Sequence, residues 1–129
     1  MEYSPEVRRR LERPGRRGVL ADVGDGRVGA VAEDRSLNVW ICVQVKAVGE
    51  SIASVRYEAY GCPHLLASAD WLAEHLEGRP VAALSEPVAR EVAAALDVPT
   101  EKLGKLLVIE NALVTCAERL QRSRQKDSS

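Results

Sequence analysis

Between Leu37 and Leu76 the spacing of apolar residues changes from every second position to every third or fourth, and that switch limits what the chain can fold into. Leu37, Val39, Ile41, Val43 and Val45 alternate with other residues, the period of a strand with one buried face. Ile52 to Tyr60 is rich in branched and aromatic residues, and Gly49-Glu50 between the two runs predicts a tight antiparallel hairpin. A shorter strand is expected from Arg27 to Ala32. Past Cys62 the apolar positions Leu65, Leu66, Ala69, Leu72, Ala73 and Leu76 recur at helical spacing until Gly78 ends the run. Ser4 before Pro5, Glu6, Val7 and Leu11 reads as a capped short helix stopped near Pro14-Gly15. Val81 to Leu84 and Pro87 to Leu96 are short helical candidates. From Thr100 to about Arg122 a long stripe runs through Leu103, Leu106, Leu107, Ile109, Ala112, Leu113, Cys116 and Leu120. Strands first and helices afterwards define an α+β fold: a small three-stranded antiparallel sheet covered on one face by helices, with an N-terminal helix and a long C-terminal one.

A chain of 129 residues suits one domain, expected over 1–122, followed by a polar, frayed tail over 123–129. No internal repeat is visible. Phenylalanine is absent, so the core is expected to be aliphatic, with Trp40 and Trp71 as its large anchors. The 18 basic and 19 acidic residues nearly cancel, which points to neither nucleic acid nor an anionic membrane. Arg8, Arg9, Arg10, Arg13, Arg16 and Arg17 cluster early and read as a solvated helix face and loop rather than a basic patch. No apolar run reaches the ~20 residues needed to cross a bilayer, and the charged start has no apolar signal region. A cytoplasmic protein is expected.

Tyr60-Gly61-Cys62-Pro63-His64 stands where the strand pattern hands over to the helix pattern. A thiol at a helix N-terminus faces backbone N–H groups and the positive end of the dipole, which favour the thiolate. Cys62 is therefore the first candidate for chemistry, beside the plainer reading of a small cysteine that starts a helix ahead of Pro63. Cys42, Cys62 and Cys116 are odd in number and widely spaced, which suits neither a disulfide scaffold nor a zinc finger. Cys42 and Cys116 read as packing residues. His64 reads as an exposed first-turn histidine. No Ser-His-Asp order, phosphate loop or carboxylate pair marks an enzyme, and Gly24-Asp25-Gly26 reads as a turn.

The same order of elements resembles the U-type iron-sulfur cluster scaffold family, the IscU and NifU N-terminal domains. Tyr3-Ser4 with Val7, then Pro14 and Gly18, is similar to the family's opening Y-S helix and N-P-x-x-x-G turn. Val28-Gly29-Ala30-x-Ala32 is similar to V-G-A-P-A-C-G-D, Tyr60-Gly61-Cys62 with Ala67-Ser68 to Y-G-C-x-x-x-x-A-S, and Val98-Pro99-x-x-Lys102 to L-P-P-V-K. The resemblance covers nearly the whole chain and implies an IscU/NifU-like fold and a place in iron-sulfur cluster assembly.

Members of that family hold iron as a [2Fe-2S] cluster, or zinc, on three cysteines with a nearby aspartate and histidine, a donor set that suits a thiophilic tetrahedral metal. Carried across residue by residue, only Cys62 matches. The first cysteine falls on Glu33, the aspartate on Arg35, the histidine on Gly104 and the third cysteine on Lys105. Cys116 lies roughly 16 Å along a helix from Lys105 at 1.5 Å per residue and cannot stand in for it. The resemblance thus implies a scaffold-like protein that has lost most ligands and holds no stable cofactor. Cys62 remains as a sulfur acceptor, with Glu33 as the one remaining oxygen ligand beside it. If folding brings Glu33 to Lys105, the two are expected to form an ion pair over Cys62. A cysteine desulfurase or an assembly chaperone is the implied partner; Pro99 and Lys102 keep the chaperone-recognised loop, while Thr100 and Glu101 depart from it. The alternative is a binding or regulatory module that docks to such partners without holding a cluster.

Overall fold

The computed structural model describes residues 3–20 and 26–127, so Gly24 and Asp25 of the expected turn lie outside the described residues. Strands β1 (Arg27–Asp34), β2 (Val39–Val48) and β3 (Ser51–Tyr60) form one antiparallel sheet in the order β1-β2-β3. Helices α1 (Pro5–Glu12), α2 (Pro63–Leu76), α3 (Ala89–Leu96) and α4 (Leu103–Asp127) complete the fold, with 3-10 turns at Val81–Ser85 and Thr100–Lys102. Among the described residues no helix is long and apolar enough to cross a membrane.

The period-2 pattern of β2 does what it predicts. Val39, Ile41, Val43, Val45 and Ala47 are buried while the residues between them are half-buried. Ala30 of β1 and Val55 and Tyr57 of β3 join the same inner face, where α2 lies against β3 and α4 against β1 and β2. The hairpin between β2 and β3 turns at Gly49-Glu50 as expected, with Gly49 at φ 61°. Gly26 leads into β1 at φ +85°, and a Cβ there would stand 2.4 Å from the Ala47 carbonyl oxygen, so only glycine fits.

One expectation about packing is corrected. Trp40 and Trp71 are half-buried, not core anchors; Trp40 sits on the outer sheet face by strand alternation, and Trp71 stacks at 3.8 Å on His75 at the α2 surface. The buried aromatic is Tyr57, 3% exposed. The last helix, α4, runs on past Ser123 to Asp127; Arg, Gln and Lys there are good helix formers.

The arginine cluster is solvated at Arg8, Arg9, Arg13 and Arg17 as expected, but Arg16 is half-buried and Arg10 is not on the surface. Arg10 is buried and reaches Glu6, Asp70 and Glu74 at 2.8, 2.9 and 3.0 Å. Asp70, also buried, takes the Arg16 backbone N–H at 2.8 Å and the Tyr57 hydroxyl at 3.3 Å as well. Arg16 and Arg56 both bind Glu77, and Arg17 binds Glu58. Ser4 caps α1 by accepting from the Val7 N–H and donates its hydroxyl to the Leu96 carbonyl, tying α1 to α3. A buried charge robbed of its partner is far costlier than an intact pair. Arg10→Ala is therefore expected to lower unfolding stability by about 3–5 kcal/mol, and Arg10→Met with Asp70→Asn by clearly less, both read from urea unfolding.

Candidate functional site

Three segments meet at one end of the sheet: the β1–β2 turn over 35–38, the β3–α2 junction and the first turn of α4. The junction depends on Gly61. A Cβ there would come 2.5 Å from Leu65 Cδ2 and 3.1 Å from Val39 Cγ1, both buried side chains. Glycine lets the chain leave Tyr60 tight against the core and deliver Cys62 as the N-cap of α2. Pro63 follows at the first helical position, and no side-chain hydrogen bond caps the helix. The β1–β2 turn closes with Asn38 in the left-handed region at φ 58°, its N–H on the Arg35 carbonyl.

Cys62, Lys105, Leu37, Asn38, Tyr60 and Gly61 line a shallow pocket of about 320 Å³. Gly104 lies beside it, close enough that an added Cβ would touch Leu37 Cδ1 at 3.7 Å, but it offers no side-chain donor. The structure thus brings Cys62 and Lys105 together, as their alignment to ligand positions implies. Glu33 and Arg35 do not line the pocket. Glu33 is exposed on the outer sheet face, in a cross-strand row with Trp40 and Tyr60, and Arg35 is exposed in the turn. The expected ion pair between Glu33 and Lys105 does not form: among the described residues neither side chain is ion-paired. Its failure follows from strand alternation, which turns Glu33 away from the helical layer that carries Lys105.

Leu37, Asn38 and Tyr60 as lining residues were not foreseen. Asn38 carried a signal in being a turn former between two strand runs. His64 is a correction: it is 3% exposed, not a surface residue, and packs edge-on against Tyr3 with ring centres 4.9 Å apart. Burial pushes its pKa down, and the nearby Lys102 and Lys105 ammonium groups push the same way. Cys116 is buried, its Sγ 3.8 Å from the Val43 carbonyl oxygen, and burial raises its thiol pKa to about 12. Cys42 sits half-buried on the outer face opposite Val31 and Glu58.

A sheet with helices on one face, and a cysteine aimed from the strand-to-helix junction beside the start of the last helix, define the class. The sequence model of the NifU-like N-terminal domain matches residues 2–127, and the chain belongs to that family. It is 30% identical over 134 residues to the iron-sulfur cluster assembly scaffold protein IscU of Rickettsia prowazekii, covering 99% of this chain and 100% of that one. It is 29% identical over 115 residues to iron sulfur cluster assembly protein 1, mitochondrial, of Eremothecium gossypii, covering 86% and 73%. Among solved structures, a SUF-system protein of Fervidobacterium islandicum AW-1 superposes with a TM-score of 0.72 at 14% identity, over 89% of this chain and 96% of that one. A NifU-like N-terminal protein of Brucella abortus gives 0.70 at 14% identity, over 92% and 94%. These two likenesses establish the shared fold.

A histidine whose folded pKa is depressed binds its proton more readily in the unfolded chain, so it destabilises the fold as pH falls below the unfolded value of about 6.5. Between pH 7.5 and 5.5 unfolding stability is expected to drop, and His64→Leu to remove that part of the drop. The losses tied to Glu6 and Glu74, whose pKa values are lowered by hydrogen bonds from Arg9 and from Arg10 respectively, begin only at more acidic pH. Urea titrations at the two pH values check this.

Proposed function

We propose that this chain serves iron-sulfur cluster assembly as a scaffold-type domain that accepts sulfur on Cys62 and holds it without a cluster of its own. The names of its two curated relatives, iron-sulfur cluster assembly proteins both, support the assembly role. The finer reading is carried by one observation: Lys105 shares a pocket with Cys62. A [2Fe-2S] cluster, as cargo, calls for several soft, anionic donors around it. This pocket presents one thiol and one ammonium, and an ammonium repels iron. The residues present do not fit a cluster held by one chain.

They fit an anion. Cys62 caps the positive end of α2. At the start of α4 the first turn holds no Asp or Glu and carries Lys105, with Glu101 and Lys102 just ahead of it. Cations at a helix N-terminus oppose its dipole, so their placement favours something negative in front of them. Transfer needs only that: the Cys62 thiolate attacks the outer sulfur of a donor persulfide R–S–SH. The donor's S–S bond breaks, R–S⁻ leaves with the bonding pair, and Cys62 becomes Cys–S–SH with no net change of oxidation state. The ammonium offsets charge on the attacking sulfur and on the persulfide anion that forms. The chain in this reading is an acceptor and carrier, not a catalyst, and its donor is a cysteine desulfurase.

Anaerobic incubation with a cysteine desulfurase, cysteine and ferrous iron tests the reading. The expected product is the chain heavier by one sulfur atom on Cys62, absent from Cys62→Ser and retained in Cys42→Ser. Near-stoichiometric iron with a cluster absorption spectrum would overturn it. Stable association with the desulfurase but no added sulfur would replace it by a docking module. A partly exposed charge pair contributes on the order of 1 kcal/mol, so Lys105→Ala is expected to slow sulfur loading about fivefold and Lys105→Glu to slow it further.

A further inference from the structure

The three thiols of the chain stand in three different surroundings. Cys116 is fully buried, and burial raises its pKa to about 12, so it is neutral and out of reach of solutes. Cys42 is half-buried on the outer sheet face opposite Glu58, whose charge Arg17 offsets at 3.3 Å, and that pair brings no net positive charge to it. Cys62 differs from both, because it opens into a pocket that also holds a cation, Lys105. Among the described residues the Lys105 ammonium has no ion-pair partner, Glu101 one turn ahead included, and the Asn38 carboxamide makes no hydrogen bond. Asn38 is held instead through its backbone, by its N–H on the Arg35 carbonyl at 3.2 Å. Leu37 and Tyr60, the latter 63% exposed, supply apolar walls. The volume of about 320 Å³ falls at the small end of the roughly 300–1,000 Å³ of small-molecule sites.

A nucleophile, an uncompensated cation and an amide donor between apolar walls complement a small molecule that carries sulfur and a carboxylate on a short aliphatic stem. We infer that this pocket is a modification site, at which Cys62 forms a mixed disulfide with a low-molecular-weight thiol bearing a carboxylate. The thiol arrives as its symmetric disulfide R–S–S–R, which is the oxidant. The Cys62 thiolate attacks one sulfur, the S–S bond breaks, and R–S⁻ leaves with the bonding pair and takes a proton from water. Cys62 is thereby oxidised to Cys62–S–S–R and the departing half is reduced. Lys105 draws the carboxylate in, and the Asn38 amide hydrogen-bonds it. The adduct occupies the sulfur on which the proposed function depends and is removed by any excess thiol, so it is a reversible cap. The inference rests on that function only for the consequence of capping; the capping step itself needs no desulfurase.

The full chain carrying Cys42→Ser, reduced and freed of reductant, tests this with three disulfides: dithiodiglycolate, which is anionic, hydroxyethyl disulfide, which is neutral, and cystamine, which is cationic. Mixed-disulfide formation on Cys62 is followed by intact mass, each rate being divided by that of free mercaptoethanol with the same disulfide. The anionic reagent is expected to lead the neutral one by about fivefold, the worth of one partly exposed charge pair, with the cationic one slowest and the differences shrinking as salt is added. Lys105→Arg should keep this order, Lys105→Ala should level it and Lys105→Glu should reverse it. Equal normalised rates for the three reagents, or a preference that survives Lys105→Ala, would overturn the inference. A chain that shows the preference yet gains no sulfur from a desulfurase upholds the inference and sinks the acceptor reading alone.

Discussion

The Asp70 carboxylate, 1% exposed on α2, holds donors from three other segments: the Arg10 guanidinium of α1, the Arg16 backbone N–H and the Tyr57 hydroxyl of β3. An ionised carboxylate withdrawn from water is tolerable only when paired and hydrogen-bonded. Of the α1 residues only Val7 and Arg10 are buried, with Leu11 half-buried against the core. The network therefore fixes the N-terminal helix, the following turn and β3 against α2. It also presses the Tyr57 phenol into a buried, acid-facing position that raises its pKa. Because Cys62 caps the same α2, the direction in which its sulfur points is set in part by an ion pair two helical turns away.

Around Cys62 the local rules of helix electrostatics are broken. Acidic residues are favoured in the first turn of a helix, yet α4 begins with none and carries Lys105, while the turn ahead of it holds both Glu101 and Lys102. Burial of His64 under Tyr3 adds to the case, because its depressed pKa keeps the ring neutral near the two lysines and so adds no further positive charge to repel them. Positive charge at the pocket comes from the Lys105 ammonium and the N-terminus of α2 that starts at Cys62.

Most of the fold was legible because it is written in periodicity. The alternation of 39, 41, 43 and 45, the glycine turn at 49 and the helical stripe after Cys62 are short-range signals, and each emerged where expected. β1 extended two residues past Ala32 and α4 beyond Arg122, differences confined to element ends. The failures were long-range. Nothing near Arg10 in sequence announces Asp70, sixty residues on, so a buried arginine read as a surface one. His64 and the tryptophans failed similarly, since alternation tells which face a residue takes and not what covers it. At the site, the alignment placed Cys62 and Lys105 together and did so correctly. It could not place Glu33, whose side chain depends on the parity of β1 against its partner strand.

The parts of the pocket that give it shape are distinct from those that give it chemistry. Gly61 is fixed by its contacts with Leu65 and Val39, and the β1–β2 turn by Asn38 and by Leu37 packing over Gly104. None of these is an aligned ligand position except Gly104, which contributes space. Glu33, Arg35 and Lys105 are exposed or half-buried and carry no core packing. Exchange at those places changes charge and donor atoms while the backbone that presents Cys62 stays where it is. That separation explains how a chain can keep the family's architecture at a TM-score near 0.7 to proteins only 14% identical while presenting an ammonium beside its thiol. The fold fixes where the Cys62 thiol is presented, and of positions 33, 35, 104 and 105 only Lys105 brings a side chain to the same pocket.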